Sequence, residues 1–148
     1  MDKDKTKQIA QSVGIRVPKA YRTVEEIERF PVIIKPVDEG SSKGVFLCNN
    51  REEAEEAVKK LARPIIEDYI VGEELTVGVL NGKALGVLKI IPQADVLYDY
   101  DSKYADGGSI HEFPAKIEDK SYKEAMKIAE KVHSEFGMKG ISRSDFIL

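Results

Sequence analysis

The spacing of apolar residues near the amino terminus predicts an amphipathic helix. In the stretch "KTKQIAQSVG", Val13 lies four positions after Ile9 and three after Ala10, as residues on one helical face do. Gly14 follows and is expected to end the helix, because glycine readily adopts the left-handed conformation found after helices. The lysines at the start of this helix are expected to face water or a ligand.

Three later stretches also favour helices. Thr23 and Glu26 have the spacing of a capping box, which predicts a short helix before Pro31. Asn50 is a suitable N-cap for "REEAEEAVKKLA", where acids come first and lysines last, as the helix dipole favours. A last helix is expected to stop at Gly137. The apolar residues on one face of these last two helices are Ala54, Ala57, Val58 and Leu61, and Ala125, Ile128, Ala129, Val132 and Phe136.

Short β-rich runs between the helices predict sheet structure. Strands are expected in "PVIIKPV", "GVFLC", "PIIEDYI" and "GISRSDFIL". Two more β-rich runs are joined by Asn81 and Gly82, a dipeptide that favours the tight turn of a β-hairpin. The sheet structure is therefore at least partly antiparallel. Residues 92–110 lack a sustained period and are rich in Asp, Tyr and Gly, which predicts a long functional loop.

Composition and charge narrow the class of protein. The 148 residues are 42% hydrophobic and 33% charged, which is typical of a globular chain. No apolar run approaches the roughly 18 residues of a membrane span. The net charge of −3 gives no general attraction to nucleic acids or membranes. Cys48 is the single cysteine and the amino terminus is too polar for a secretory signal, so a cytoplasmic location is expected.

Lys35 ends an apolar strand and precedes a loop of small residues. A lysine at that point either extends its side chain to water or binds an anion. Backbone N–H groups and hydroxyls of Gly40, Ser41, Ser42 and Gly44 could surround phosphate oxygens. The same stretch also fits an ordinary hairpin turn, and it is not a Walker A loop.

Two further groups of charged residues also have two interpretations each. The period of a strand places Arg143 and Asp145 on one face, as a structural ion pair or as an oxyanion donor beside a magnesium ligand. Glu67, Glu73 and Glu74 could accept hydrogen bonds from adenine or ribose, although acids in turns are commonly just exposed.

Taken in order, five segments resemble the ATP-grasp region of D-alanine–D-alanine ligases: "MDKDKTK", "FPVIIKPVDEGSSKGV", "IIEDYIVGEELTVGVL", "YDYDSKY" and "GISRSDFIL". The resemblance covers essentially the whole chain. It implies an α+β, ATP-grasp fold, in which two α+β lobes hold mainly antiparallel sheets. Residues 1–67 would form the central lobe, with a phosphate-binding loop at 37–44, and residues 68–148 part of a truncated carboxyl-terminal lobe.

The resemblance further implies an activity. Such ligases join two D-alanines for peptidoglycan and the cell wall, using ATP and Mg²⁺ or Mn²⁺ to form an acyl phosphate. The partners implied are the small molecule D-alanine and, for the full-length protein, a second copy in a homodimer. The implied ATP contacts are Lys3, Lys35, Glu39, Ser41, Ser42, Glu67, Tyr69, Ile70, Glu74 and Lys103. The implied catalytic residues are Ser41, Lys103, Tyr104 and Arg143, and the implied metal ligand is Asp145.

Two parts of the family pattern have no counterpart in these residues. They are the amino-terminal domain that orients the first D-alanine, and a final strand whose glutamate and asparagine complete the magnesium site. A fragment that does not catalyse alone is therefore expected. Two alternatives remain open: another ATP-grasp ligase, such as a D-alanine–D-lactate ligase, or a nucleotide-binding module without catalysis.

Overall fold

The computed structural model describes residues 2–40, 43–92 and 109–148. The described chain divides into two compact units, the first ending at Ile70 and the second beginning at Val71. The assignment of residues 1–67 and 68–148 to two ligase lobes stays a prediction. In the described part of the chain, no helix has both the length and the apolar character needed to cross a membrane.

The first unit combines a four-stranded sheet with helices. Its elements are α1 (Lys3–Ser12), β1 (Ala20–Tyr21), a 3-10 turn (Val24–Glu26), β2 (Val32–Pro36), β3 (Phe46–Cys48), α2 (Arg51–Lys59) and β4 (Pro64–Asp68). The strand order is β1-β4-β2-β3, and every pair is antiparallel.

Alternation along β2 determines what each face of this sheet carries. Val32 and Ile34 are fully buried and belong to the core that α2 covers with Ala54 and Ala57. Intervening positions such as Lys35 point to the opposite face. Helix α2 begins as predicted, because the Asn50 side chain accepts a hydrogen bond from the Glu53 N–H at 2.9 Å.

The second unit is built from one sheet and one long helix. Its elements are β5 (Glu74–Leu80), β6 (Lys83–Pro92), β7 (Ser109–Glu112), α3 (Asp119–Glu135) and β8 (Ile141–Ile147). The strand order is β7-β6-β5-β8, again antiparallel throughout. Ala125 and Ala129 of α3 are buried against the valines of β5, so the helix covers one sheet face and leaves the other uncovered by it.

Several predicted turns and helix ends are confirmed. Asn81 and Gly82 both have positive φ, 47° and 81°, as the predicted hairpin between β5 and β6 requires. Gly14 and Gly137 likewise have positive φ, 77° and 61°, just beyond the ends of α1 and α3.

The predicted capping box is wrong. Thr23 makes no side-chain cap, and the Glu26 carboxylate accepts instead from the Arg22 N–H at 2.9 Å. The segment forms only one 3-10 turn, with the Ile27 N–H donating to Val24 three residues back. Glu26 is the third helical position, but its carboxylate bonds to the residue before the cap, so the reciprocal pair of a capping box does not form.

The predicted loop at 92–110 is too long at both ends. Pro92 is the last residue of β6, and Ser109 and Ile110 lie in β7, where Ser109 pairs with Pro92 and Ile110 with Ile91. β7 is an edge strand in which the neighbouring residues Ile110 and His111 are both exposed. Its sequence therefore lacks the clear apolar alternation of a half-buried strand, and the pattern did not predict it. Residues 93–108 of the predicted loop lie outside the described residues.

Candidate functional site

Two lysines pair with one buried carboxylate in the first unit, and a third lysine lies near them. Glu67 lies on β4 and is buried, with only 8% of its side chain exposed. Its Oε2 accepts from Lys7 Nζ of α1 at 2.6 Å, and its Oε1 accepts from Lys35 Nζ of β2. Register explains the meeting, because Glu67 lies opposite Ile33 and Lys35 lies two residues further along β2 on the same face. Both oxygens of Glu67 are therefore occupied by lysines.

Lys3 joins this group from the first turn of α1. Its Nζ donates to the Pro36 carbonyl at 2.7 Å, and its backbone N–H donates to Val37 at 3.0 Å. The Lys3 ammonium also donates to the carbonyl of Glu39, whose side chain is exposed. Lys3 thus ties the start of α1 to the first residues of the predicted phosphate-binding loop.

Lysines outnumber buried carboxylates in this cluster. Burial opposes ionisation of Glu67, but the charges of Lys35 and Lys7 and their hydrogen bonds outweigh it and lower its pKa below the usual 4.5. Burial, followed by the charge of Lys35, lowers the pKa of Lys3. Lys7 and Lys35 therefore pair with one ionised carboxylate, and the Lys3 ammonium lies within range of its charge and of the charges of Asp38 and Glu39. Lysines gathered in this way are suited to hold anionic oxygens.

The loop after β2 is described only in part. Asp38 pairs with Arg63 at 3.2 Å, and the Lys43 N–H donates to Gly40 at 3.2 Å. Gly44 has a φ of 66°, and a Cβ there would lie 3.1 Å from Pro36, so glycine suits this position. Ser41 and Ser42, both predicted to contact ATP, lie outside the described residues.

A second polar group fixes the end of β4. Asp68 is buried on the core face, where it accepts from Tyr21 Oη at 2.7 Å and pairs with Arg29 at 2.6 Å. The hydrogen bond from Arg29 lowers the pKa of Asp68, against burial, and the bond from Tyr21 adds to this. Asp68 therefore anchors the chain directly before Tyr69 and Ile70, two of the predicted ATP contacts, of which Ile70 is partly exposed.

In the second unit, Arg143 and Asp145 share the face of β8 that the sequence predicts. Arg143 Nε lies 3.0 Å from Asp145 Oδ1, and that same oxygen accepts from Thr76 Oγ1 of β5 at 2.7 Å. The two side chains remain 71% and 61% exposed. Glu74, another predicted ATP contact, opens β5 opposite Ile147. These polar groups lie on the sheet face opposite α3.

Asp145 fits one mode of magnesium binding. Mg²⁺ often takes one or two protein carboxylates and completes its shell with water and substrate phosphates. Within residues 2–40, 43–92 and 109–148, no three His, Cys, Asp or Glu side chains come together as a metal site. Asp145 is therefore suited to contribute one ligand to an ion held mainly by phosphates.

Sequence reasoning missed Lys7, and two predicted residues besides Ser41 and Ser42 lie outside the described residues. Lys103 and Tyr104 belong to residues 93–108, outside the described part of the chain. Lys7 is the last residue of the segment "MDKDKTK", of which only Lys3 is predicted to contact ATP. The sequence predicts that the lysines of this helix face water or a ligand, whereas Lys3 and Lys7 contact groups of the first unit's sheet and its following loop. Their spacing of four, with the buried Ala10 three residues on, is the available signal that they share the inward face of α1.

Comparison with known proteins gives one family. The family model described as "D-ala D-ala ligase C-terminus" matches residues 6–148. A D-alanine–D-alanine ligase of Fusobacterium nucleatum is 91% identical over 148 residues, which are all of this chain and 52% of that protein. One of Rhizobium meliloti is 41% identical, over 99% of this chain and 51% of that protein. The chain spans about half the length of the curated relatives it matches.

Solved structures share the fold. The VanG D-Ala:D-Ser ligase of Enterococcus faecalis is 27% identical, with a TM-score of 0.83 over 99% of this chain and 48% of that one. A D-alanine–D-alanine ligase of Bacillus anthracis is 25% identical, with a TM-score of 0.80 over 99% and 52%. A further B. anthracis structure, complexed with ATP, is 24% identical with a TM-score of 0.74 over 99% and 51%. The predicted α+β, ATP-grasp fold is confirmed, and the chain belongs to the D-alanine–D-alanine ligase family.

Proposed function

We propose that the protein to which this chain belongs is an ATP-dependent ligase that joins two molecules of D-alanine. The observation that carries the proposal is the group of lysines near the buried Glu67, namely Lys3, Lys7 and Lys35, because lysine ammonium groups suit the phosphates of ATP. Family membership supports the choice of reaction. ATP is also the ligand in one of the solved structures that share the fold.

Phosphoryl transfer explains why such a cluster is needed. A D-alanine carboxylate attacks the terminal phosphorus of ATP, so that an acyl phosphate forms and ADP leaves. The amine of the second D-alanine then attacks the acyl carbon, the peptide C–N bond forms, inorganic phosphate leaves and the amine loses a proton. The first step needs its phosphate oxygens held by cations while the carboxylate is held in line. Lys35 and Lys3 are proposed for that role.

Residues of the second unit are proposed for the later stages. Arg143 is exposed on its sheet face and has donors beyond its contact with Asp145, so it is suited to hold an oxyanion. Asp145 is proposed to contact Mg²⁺, which when bound would neutralise phosphate charge. Ser41, Ser42, Lys103 and Tyr104 stay predictions from the family resemblance, as do the ATP contacts of Glu39, Glu67, Tyr69, Ile70 and Glu74.

The test uses the complete gene product and the 148-residue chain side by side. Each is incubated with ATP, Mg²⁺ and D-alanine, and phosphate release and D-alanyl-D-alanine are measured. The complete protein is expected to form one dipeptide per phosphate, and Lys35→Met is expected to abolish this. Phosphate release without dipeptide, or none at all from a folded complete protein, would contradict the proposal.

A specific observation favours one rival for the second substrate, since a D-Ala:D-Ser ligase shares the fold at 27% identity. Equal concentrations of D-alanine, D-serine and D-lactate in the same assay separate the candidates. We expect the dipeptide of D-alanine to dominate. ATP binding with no product from any acceptor would instead support a nucleotide-binding module without catalysis.

A further inference from the structure

Lys7 makes a contact that neither the sequence motifs nor the proposed phosphate contacts account for. It reaches Glu67 from α1 with only 12% of its side chain exposed, and its ammonium lies 2.6 Å from Oε2. Lys35, with 24% exposed, holds the other oxygen. One buried carboxylate thus has two lysines, although a single ion pair would neutralise it.

The arrangement creates a conflict for Lys35. If its ammonium binds a phosphate of ATP, it weakens or gives up its contact with Glu67. A buried carboxylate that loses its only counterion is strongly disfavoured. With Lys7 present, Glu67 keeps a partner on its other oxygen, so Lys35 is able to exchange the carboxylate for phosphate without leaving a buried charge unpaired.

We propose that Lys7 is a positioning residue of the nucleotide site, which holds Glu67 ionised and paired while Lys35 moves from Glu67 to a phosphate of ATP. The proposal rests on the proposed function, because it requires that Lys35 meets a nucleotide phosphate. Lys7, the less exposed of the two lysines, is the one that stays on Glu67. Lys7 itself does not contact the nucleotide in this scheme.

The experiment measures binding of ATP and of adenosine to the 148-residue chain by calorimetry. Lys7→Met is expected to weaken ATP binding by about tenfold or more, because Lys35 then has to leave Glu67 without a counterion. Adenosine has no phosphate, so Lys35 can stay on Glu67 when adenosine binds. The affinity of Lys7→Met for adenosine is therefore expected to stay within about twofold of the wild-type value, whereas a tenfold change corresponds to about 1.4 kcal/mol. Lys7→Arg keeps the positive charge and is expected to recover most of the ATP affinity.

The matched control is Lys5→Met, on the same helix but exposed to water. It is expected to leave both affinities unchanged. The ratio of ATP to adenosine affinity protects the test against partial unfolding of Lys7→Met, because an unfolded chain binds neither ligand and the ratio cancels the folded fraction.

A double variant identifies the route of the effect. If Lys7 acts only through Lys35, Lys7→Met adds nothing to the ATP loss already caused by Lys35→Met. Independent, additive losses would overturn the proposal, because they indicate a direct contact between Lys7 and phosphate. Equal losses of ATP and adenosine would also overturn it, since they indicate a merely structural role.

Failure of the inference and failure of the proposed function are distinguishable. If the wild type binds ATP and Lys35→Met weakens that binding, while Lys7→Met behaves like Lys5→Met, the inference alone is wrong. If Lys35→Met binds ATP as well as the wild type does, the proposed phosphate contact is wrong, and the role of Lys7 is overturned with it.

Discussion

The charged groups of the two units differ most in their exposure to water. In the first unit, Glu67, Lys7 and Lys35 leave 8%, 12% and 24% of their side chains exposed, whereas Arg143 and Asp145 in the second unit leave 71% and 61% exposed. Water screens the second pair and hardly reaches the first group. The buried cluster therefore couples its charges to the stability of the fold, while the exposed pair keeps donors and acceptors available to a ligand.

The two groups of ion pairs also differ in which parts of the fold position them. The buried ion pairs rely on β4 and β2 to hold Glu67 and Lys35 in register, and on α1 to supply Lys7. The exposed pair needs only the period of one strand, since Arg143 and Asp145 lie two residues apart on β8. Changes to the two groups should therefore separate effects on folding from effects on function.

Glu67→Gln should have the largest effect on stability. It leaves two partly buried lysines without their counterion, and the free energy of unfolding is expected to fall by about 3 kcal/mol, as when one partner of a buried pair is removed. Urea unfolding followed by circular dichroism measures this. Glu28→Gln removes a carboxylate from an exposed pair with Lys19 and is the matched control, with no measurable loss expected. Equal stability of the two variants would show that the cluster does not support the fold.

Gly72→Ala should have the next largest effect, in the second unit. A Cβ at Gly72 would lie 2.6 Å from the Ile147 side chain and would also clash with the Leu148 carbonyl, at the end of β8. Overpacking of this kind costs about 2 kcal/mol. Gly78→Ala is the control, since its Cβ would meet only Leu85 at an ordinary 3.8 Å. If Gly72→Ala proved as stable as Gly78→Ala, the close approach at the end of β8 would be wrong.

The pH dependence of stability should show a smaller effect with a defined sign. The pKa of Glu67 lies below its usual 4.5 in the folded chain, so its contribution is present above that pH and is lost as the pH falls through the folded-state pKa. The difference in unfolding free energy between wild type and Glu67→Gln should therefore shrink on acidification. Urea unfolding across the range from pH 7 to about pH 3 checks this. A gap that widened in acid would contradict the lowered pKa.

Arg143→Ala and Asp145→Asn should have the smallest effects on stability. Exposed pairs contribute little, so each change is expected to alter the free energy of unfolding by less than about 0.5 kcal/mol. In the complete protein, by contrast, the role proposed for Arg143 predicts that Arg143→Ala lowers the rate of dipeptide formation by about 100-fold, the usual effect of losing an oxyanion donor. If Arg143→Ala instead lost much stability and kept normal turnover, the exposed pair would support the fold rather than the reaction, contrary to the expectation.

Local sequence signals predicted most elements of the fold because those elements depend on neighbours in the chain. Asn50 caps α2 through Glu53, three residues away, and Asn81 with Gly82 makes the hairpin that the dipeptide favours. The capping box at Thr23 failed because the Glu26 carboxylate bonds to the Arg22 N–H, one residue before the cap. The start of β7 was missed because this edge strand shows weak alternation, and the end of β6 at Pro92 is defined by its pairing with β7.

The sequence by itself determined the antiparallel hairpin, the helices and the shared face of Arg143 and Asp145, since a period of two or 3.6 acts within one element. Only the tertiary structure decided the surroundings of Glu67, whose partners Lys7 and Lys35 are 60 and 32 residues away along the chain. No local period encodes that distance, because it arises from strand register and the packing of α1. Strand register and helix packing therefore place Lys35, at the end of its strand, in a largely buried cluster of charged residues.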